Sequence, residues 1–434
     1  MWIFRVKRPP GSPPAFKARY VARGFSQRQG VDYFQTFSPT PKMTILWVLL
    51  HVAAQHDYEL HSLDFSTTFL QGILHEEIWL HRPLYSLLQV PREWHDTLRT
   101  TLAALGFTPS IADPSLFLRT DNSLPSFYVL VYVDHLVFAT ANTEALALVN
   151  SELQKRHTCI DLGELRSYLG LQITRDRAWR TITLTQSHMV HQVLQRFTFQ
   201  FSSPQPTPLS TGHSLSAPPS DESVEPSGPY PELVGCLITL GMGLVLGGRG
   251  PVVLTGHADA SWANDSATQR SSQGYTFSLG SSSVSWRSTR SSSVLSSSCE
   301  AEIYAGAMAA QELCWLTYLL TNLEEQPRSP PVMVVDNKAL IVLCQEHGLE
   351  HRTKHITLRY FLARELQQRG QLRLAYVATR ANNADISTKA LQSGDHQHLS
   401  TILALCLLCL TYSLLDSACT VIYIYTCLVT LARL

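Results

Sequence analysis

Residues 203 to 231, "SPQPTPLSTGHSLSAPPSDESVEPSGPYP", set the first limit on what this chain can fold into. Proline fixes φ and lacks a backbone donor, so a run this rich in proline cannot lie inside a helix or a central strand. The accompanying serines add no apolar surface to offset the entropy of ordering. The run reads as a linker, and a linker at mid-chain divides the 434 residues into separate folding regions.

Before the linker, the chain mixes helical and strand periodicities. After it, residues 252–391 have a readable order. "PVVLTGHADASWA" is a strand ending in acids, and "GYTFSLG" and "SVSWRST" are further strands. "SCEAEIYAGAMAAQELCWLTYLLTNL" has helical period and length. "PVMVVDN" is a short strand ending in an acid, followed by the helical "KALIVLCQ". "ITLRYFLARELQQRG" is a helix stopped by Gly370, "QLRLAYVAT" a strand, and "NNADISTKAL" the start of a last helix. Strands alternating with helices in this way imply an α/β layered domain.

From about residue 400 the chain is almost wholly apolar, long enough for a membrane span of roughly 20 residues. Asp416 interrupts it, and a central Asp costs about 2.5 to 3.5 kcal/mol in a bilayer. The competing reading is a tail that is not native to the domain, and membrane association ranks below it. No N-terminal signal peptide is visible, because the apolar start is short and runs into basic residues. The nine cysteines lack metal-ligand spacing; only Cys406 and Cys409 form a C-x-x-C, without a second pair, so they read as free thiols. A cytoplasmic or nuclear location is expected.

Net charge carries no signal, with 34 basic and 34 acidic side chains. Its distribution does. Arg5, Lys7, Arg8, Lys17, Arg19, Arg23 and Arg28 all precede the first acid, Asp32. A segment of this kind suits a phosphate-facing surface or a solvated basic terminus.

Acids recur where strands end. In "YELHSLDFSTTFLQG" a strand runs into a helix with Asp64 at the junction. "LVYVDHLVFAT" reads as a hairpin with Asp134 and His135 at its tip. Two carboxylates at the ends of neighbouring strands can hold hard divalent cations, which prefer a few carboxylate oxygens together with substrate phosphates. Asp259, Glu302, Asp336 and Asp385 stand at separate element ends of the second region, where a sheet and a flanking helix can gather them. Glu300 competes with Glu302 for the helix position. Glu302 is preferred because the small Ala305 and Ala309 share its face.

The segments "FKARYVARGFSQRQGVDYFQTFSP", "LHSLDFSTTFLQGILHEEIWL", "LYSLLQVPREW", "ADPSLF", "LVYVDHLVFA" and "DLGELRSYLGLQI" follow one another as in the reverse transcriptase of copia-like LTR retrotransposons. The chain resembles that family over residues 2 to about 240. "GHADASWAN", "SSCEAEIYAGAMA", "VVDNKAL", "RTKHITLRYF" and "NNADISTKAL" resemble its RNase H, extending the likeness to about 391. The resemblance implies an α/β and α+β chain: reverse transcriptase fingers and palm over 1–202, a linker and shortened connection over 203–251, an RNase H-like α/β domain over 252–391, and the apolar tail over 392–434. It implies Mg²⁺, two ions per active site, with Mn²⁺ as a substitute. Asp64 and Asp134 are the implied polymerase metal ligands, and Asp259, Glu302, Asp336 and Asp385 those of RNase H. Lys17 and Arg19 resemble the cations that hold an incoming deoxynucleoside triphosphate, Gln89 a residue that holds nucleotide and template, and Tyr168, Leu169 and Gly170 the primer-gripping turn. Implied partners are an RNA template, a DNA primer and the RNA–DNA hybrid. Phe65 has two readings, a screen against a 2′-hydroxyl or core packing. His355 is expected to orient a helix, Trp262 and Trp286 to pack in the core, and Ser281–Ser283 and Ser291–Ser293 to lie in loops.

The chain also departs from the family. His135 replaces the second acid of the hairpin, Ser86 a glycine and Leu88 a lysine. Pro83 runs directly into Leu84 where the family has a further stretch, and another stretch is missing near Leu240–Gly241. Two functional readings follow: a polymerase with RNase H whose polymerase site is impaired, or a non-catalytic remnant that at most binds nucleic acid.

Overall fold

The computed structural model describes residues 2–7, 13–72, 86–121, 124–198, 243–325, 329–345 and 362–403. The proline run, the Pro83–Leu84 and Leu240–Gly241 junctions, His355 and residues 404–434 lie outside these, and of Lys17 only the backbone is described. The chain forms two compact units, Met1–Leu46 with Asp57–Leu165, and Trp47–His56 with Arg166–Leu434.

The first unit begins with an antiparallel hairpin, β1 (Trp2–Lys7) and β2 (Ala15–Tyr20), which sets Lys17 opposite Arg5 and Arg19 opposite Ile3. Helix α1 (Met43–Gln55), which belongs to the second unit from Trp47 onward, is apolar around most of its circumference and is correspondingly buried from Ile45 through Ala54. Then follow β3 (Glu59–Phe65), α2 (Val90–Ala104), β4 (Thr108–Pro109), β5 (Leu116–Asp121), β6 (Leu124–Tyr132), β7 (His135–Thr140), α3 (Thr143–Arg156) and β8 (Cys159–Glu164). The six strands form an antiparallel sheet in the order β4-β5-β6-β7-β3-β8. Phe127–Val131 of β6 and Leu136–Ala139 of β7 are buried on consecutive residues, so these central strands are covered on both faces. Trp94, Leu98 and Leu102 recur at helical spacing on α2 and meet Leu63, Phe65, Phe127 and Phe138 in one core, with Leu146, Val149 and Leu153 of α3.

In the second unit, β9 (Ser167–Tyr168), β10 (Leu171–Asp176), β11 (Thr181–Thr185) and β12 (Leu244–Gly247) make an antiparallel sheet ordered β12-β11-β10-β9, with α4 (Ser187–Arg196) following β11. β12 lies beyond the proline run and pairs with β11 before it, so this sheet draws strands from both sides of that run.

Next come β13 (Leu254–Ser261), β14 (Ser272–Leu279), β15 (Ser282–Arg290), α5 (Ser298–Asn322), β16 (Val332–Val335), α6 (Lys338–Gln345), α7 (Leu362–Gln368), β17 (Arg373–Tyr376), α8 (Asp385–Thr388) and α9 (Ser393–Ile402). Their sheet runs β15-β14-β13-β16-β17; the first three strands are antiparallel neighbours, and β16 and β17 join parallel. Ala301, Ala305, Ala309 and Gly306 are buried on α5, and Ala260 of β13 packs in a cluster with Ala301 and Ala305. Small side chains let the helix axis approach the sheet. Ser282 and Ser283 differ from the loop expectation: they begin β15 and are buried, because their backbones join the ladder to β14. Trp262 and Trp286 differ from the core expectation, at 49% and 38% exposed. Trp262 lies past the end of β13, its indole N–H donating to the Leu295 carbonyl at 3.0 Å, and Trp286 is on the edge strand.

Candidate metal centres

Among the described residues, two groups of acids come together, one in each unit. In the first, β3 pairs with β7 so that Asp64 stands directly opposite His135. Tyr132 pairs with His135, so the hairpin turn consists of Val133 and Asp134 alone. His135 is therefore the first strand residue rather than part of the tip. Val133 has φ 56°, an expensive conformation for a β-branched residue. Two hydrogen bonds hold this turn: the Trp94 indole N–H donates to the Val133 carbonyl at 2.7 Å, and the Phe65 N–H to the Asp134 carbonyl at 2.8 Å. Gln71 braces the far side of Asp64 by bonding the Ser66 carbonyl and both backbone groups of Thr158. Asp64, Asp134 and His135 each offer one ligand atom within 4.8 Å of the others, and the His135 Nδ1 to Asp64 Oδ1 separation is 3.6 Å. Two carboxylates with one imidazole form a mixed oxygen and nitrogen set, better matched to a transition metal than to Mg²⁺.

The surrounding residues divide. Phe65 is core: it meets Trp94 edge-on at 4.9 Å and is 2% exposed. Gln89 precedes α2 and is fully buried; its Oε1 accepts from Gln27 at 3.0 Å and its Nε2 donates to the Asp32 carbonyl at 3.4 Å. In this conformation Gln89 braces the 27–32 segment. Arg19 is exposed on β2. Tyr168 is buried and pairs with Leu171 across a turn in which Leu169 and Gly170 both have positive φ, the arrangement that matches the twist of a two-residue hairpin.

The second group is more enclosed. Asp259 lies on β13 with no exposed surface, Glu302 on the first turns of α5, and Asp336 just past the C-terminal end of β16. Their carboxylate oxygens lie within 4.8 Å of one another. Glu300 is elsewhere: its carboxylate accepts from the Ser296 N–H at 2.7 Å and its own N–H donates to Oγ of the N-cap Ser297, so it secures the start of α5. Burial first, and then Asp259 and Asp336, push the Glu302 carboxyl up to about 8. Glu302 Oε2 is buried without a hydrogen-bond partner, a costly state for a polar atom unless a cation or proton completes it.

Asp385 joins through Lys389. It opens α8, and Lys389 Nζ bridges Asp385 Oδ1 at 2.7 Å and Asp259 Oδ1 at 3.0 Å. Thr388 Oγ1 donates to Asp259 Oδ2. Burial raises Asp385 to about 7 even against Lys389; burial alone would lower Lys389, but Asp259 and Asp385 outweigh it and raise the ammonium. Two residues seat α8 on the sheet. Asn382 is fully buried and donates to the Ala258 carbonyl at 3.0 Å. Gly274 is the β14 partner of Asp259, and a Cβ there would lie 2.1 Å from Ser387 Oγ and 3.0 Å from the Arg287 carbonyl. Sequence inspection passed over Asn382, Gly274, Thr388 and Lys389; the only available signal was their place in "NNADISTKAL" or on the strand after Asp259.

The chain matches the family described as reverse transcriptase (RNA-dependent DNA polymerase) in two pieces, residues 1–84 and 80–211. It is 31% identical to the retrovirus-related Pol polyprotein from transposon RE2 of Arabidopsis thaliana, across 92% of this chain and 31% of that protein. It is 29% identical to the corresponding polyprotein from transposon TNT 1-94 of Nicotiana tabacum, across 89% of this chain and 34% of that protein. The chain thus spans about a third of the length of these relatives. Among solved structures, a foamy viral protease-reverse transcriptase in complex with RNA/DNA hybrid is 13% identical, covers 86% of this chain and 50% of its own, and has a TM-score of 0.43. The chain belongs to the reverse transcriptase family of copia-like retrotransposon Pol polyproteins.

Proposed function

We propose that this chain is an RNA-directed DNA polymerase with linked RNase H, in which the hydrolytic site is the better preserved. The observation that carries the reading is the convergence of Asp259, Glu302 and Asp336 around a buried, unpartnered Glu302 oxygen. Divalent ions, Mg²⁺ or Mn²⁺ and two per site, supply when bound the charge that activates an attacking oxygen and steadies the leaving one. Asp259, Glu302, Asp336 and Asp385 are the residues to hold them in the second unit. The enclosure of Asp259 keeps its carboxylate oriented, and Thr388 fixes its plane by a hydrogen bond.

In the first unit Asp64 and Asp134 are the ligands. Lys17 and Arg19 hold the triphosphate of the incoming deoxynucleotide, and Tyr168 and Gly170 form the turn that grips the primer. The partners are an RNA template, a DNA primer and the RNA–DNA hybrid, in the cytoplasm or nucleus. Impairment of this half is supported by His135, which supplies a neutral donor where a carboxylate would help neutralise the metals, and by the broken family match around residue 84. The same two observations favour a second reading for the polymerase half alone, a non-catalytic remnant that still binds nucleic acid.

Two assays on the full chain separate the halves. Cleavage of an RNA–DNA hybrid with Mg²⁺ or Mn²⁺ is expected from the native chain and should fall by about a hundredfold or more in Asp259→Asn. Primer extension on an RNA template is expected to be weak and to rise in His135→Asp. Equal cleavage by Asp259→Asn sinks the hydrolytic assignment; unchanged extension in His135→Asp means that the missing segments limit the polymerase.

A further inference from the structure

Lys389 is the feature of the second acid group that the metal-binding reading leaves unassigned. Its ammonium touches one oxygen of Asp259 and one of Asp385, residues that reach it from β13 and from the start of α8. The Lys389 side chain is 29% exposed, Asp259 0% and Asp385 8%, so this contact is largely withdrawn from water. Its position is imposed by the fold. Lys389 follows the last residue of α8, four positions after Asp385, its own N–H bonds the Asp385 carbonyl at 3.0 Å, and Asn382 and Gly274 hold that short helix against the sheet.

The four carboxylates do not share this cation equally. Asp259, Glu302 and Asp336 have ligand oxygens within 4.8 Å of one another, whereas Asp385 meets the group through Lys389. A divalent ion bridging Asp259 and Asp385 would compete for the oxygens that the ammonium already contacts. Two cations at that separation repel strongly in an enclosed site. An ion among Asp259, Glu302 and Asp336 shares only Asp259 with the ammonium: the Asp259 oxygens, bonded by Lys389 and Thr388, keep further lone pairs, the hydrogen bonds of the Lys389 ammonium go to Asp259 and Asp385, and Glu302 Oε2 has no hydrogen-bond partner.

We propose that Lys389 is a tethered cation of the RNase H-like site, holding the Asp259–Asp385 side so that one divalent ion binds readily through Asp259, Glu302 and Asp336 and a second binds only by displacing the ammonium. The inference rests on the metal-binding reading given above and makes Lys389 a positioning residue that sets metal occupancy. Substrate phosphates arriving with the second ion would supply the charge that draws Lys389 away, so occupancy and substrate binding are coupled.

The test is Mn²⁺ binding to the full chain, followed by the electron paramagnetic resonance signal of free Mn²⁺, with Asp64→Asn in every sample to weaken the first unit's site. The Lys389-containing chain is expected to bind one ion tightly and a second weakly. Lys389→Met and Lys389→Gln should tighten the second ion by about tenfold or more, while Lys389→Arg, which keeps the charge, should not. If Lys389→Met does not fold, as judged by circular dichroism, Lys389→Gln decides. Binding curves identical to that of the Lys389-containing chain for both neutral variants overturn the proposal, as does a tightened second ion in Lys389→Arg. Loss of the tight ion in Asp259→Asn is the separate check on the underlying site. If Asp259→Asn binds Mn²⁺ as well as the starting chain does, the metal-binding reading itself has failed, whatever Lys389 does.

Discussion

At the scale of single residues, the second acid group is a store of electrostatic strain. Burial leads in raising Glu302 to about 8 and Asp385 to about 7. In the unfolded chain both titrate near ordinary carboxylate values of about 4. A folded value above the unfolded one means that the native state binds the proton more tightly. The stability this contributes is complete at acid pH and is lost as pH rises through the folded values. In chelator, the unfolding free energy should therefore fall between about pH 4 and pH 8, by up to about 1.4 kcal/mol per pH unit for each such proton, and the thermal midpoint with it. Glu302→Gln should flatten that fall, and Mn²⁺ should reverse it in the native chain. Thermal unfolding against pH measures this, and an unchanged slope in Glu302→Gln contradicts it. The Glu300 and Glu302 choice belongs to the same scale. Helical phase ranked them by the small residues on their faces; the structure separates them by task, with Glu300 capping α5 and Glu302 facing Asp259.

At the scale of elements, α8 is too short to be stable alone, with four residues. It exists because it docks. Gly274 leaves open the space that Ser387 and Thr388 occupy, and Asn382 ties the loop before α8 to the Ala258 carbonyl. A larger residue at position 274 must push α8 away and carry Asp385, Thr388 and Lys389 with it. Gly274→Val is expected to cost about 1–3 kcal/mol and to reduce hybrid cleavage well below the native rate at temperatures where the chain is still folded. Calorimetry with a parallel cleavage assay checks both; native cleavage in a folded Gly274→Val chain would show that the seat of α8 does not position the site. The polymerase hairpin depends on its neighbours in the same way. Val133 tolerates its positive φ because Trp94 and Phe65 bond the two carbonyls that follow it, those of Val133 and Asp134.

At the scale of the whole molecule, the sheet of β9 to β12 shows why a boundary is hard to draw from composition. β12 follows the proline run yet pairs with β11, and the Gly247 N–H donates to the Nδ1 of His51 at 3.0 Å. Burial lowers His51 to about 4, which keeps the ring neutral and able to accept. Gly247 has φ 92°, and a Cβ there would lie 2.3 Å from the Arg180 carbonyl and 2.6 Å from Ala54 Cβ. Gly247→Ala is expected to destabilise the chain by about 2–4 kcal/mol, read as a lower denaturant midpoint. A midpoint within about 0.5 kcal/mol of the native one would show that β12 is dispensable.

Sequence alone determined the order of strands and helices in 252–391, the placing of acids at the ends of elements, and the family to which the chain belongs. Those properties are written locally, as periodicity, turn residues and short motifs, and they survive without knowledge of the partners. Which acids share a centre was decided only by tertiary structure. Lys389 lies 130 positions from Asp259, and no local pattern says that its ammonium will enter the acid group rather than solvent. The buried setting of Gln89 is likewise built by the distant Gln27 and Asp32, which its own segment does not announce. Sheet register and the seating of α8 set these meetings, and both are products of packing between segments far apart in the chain.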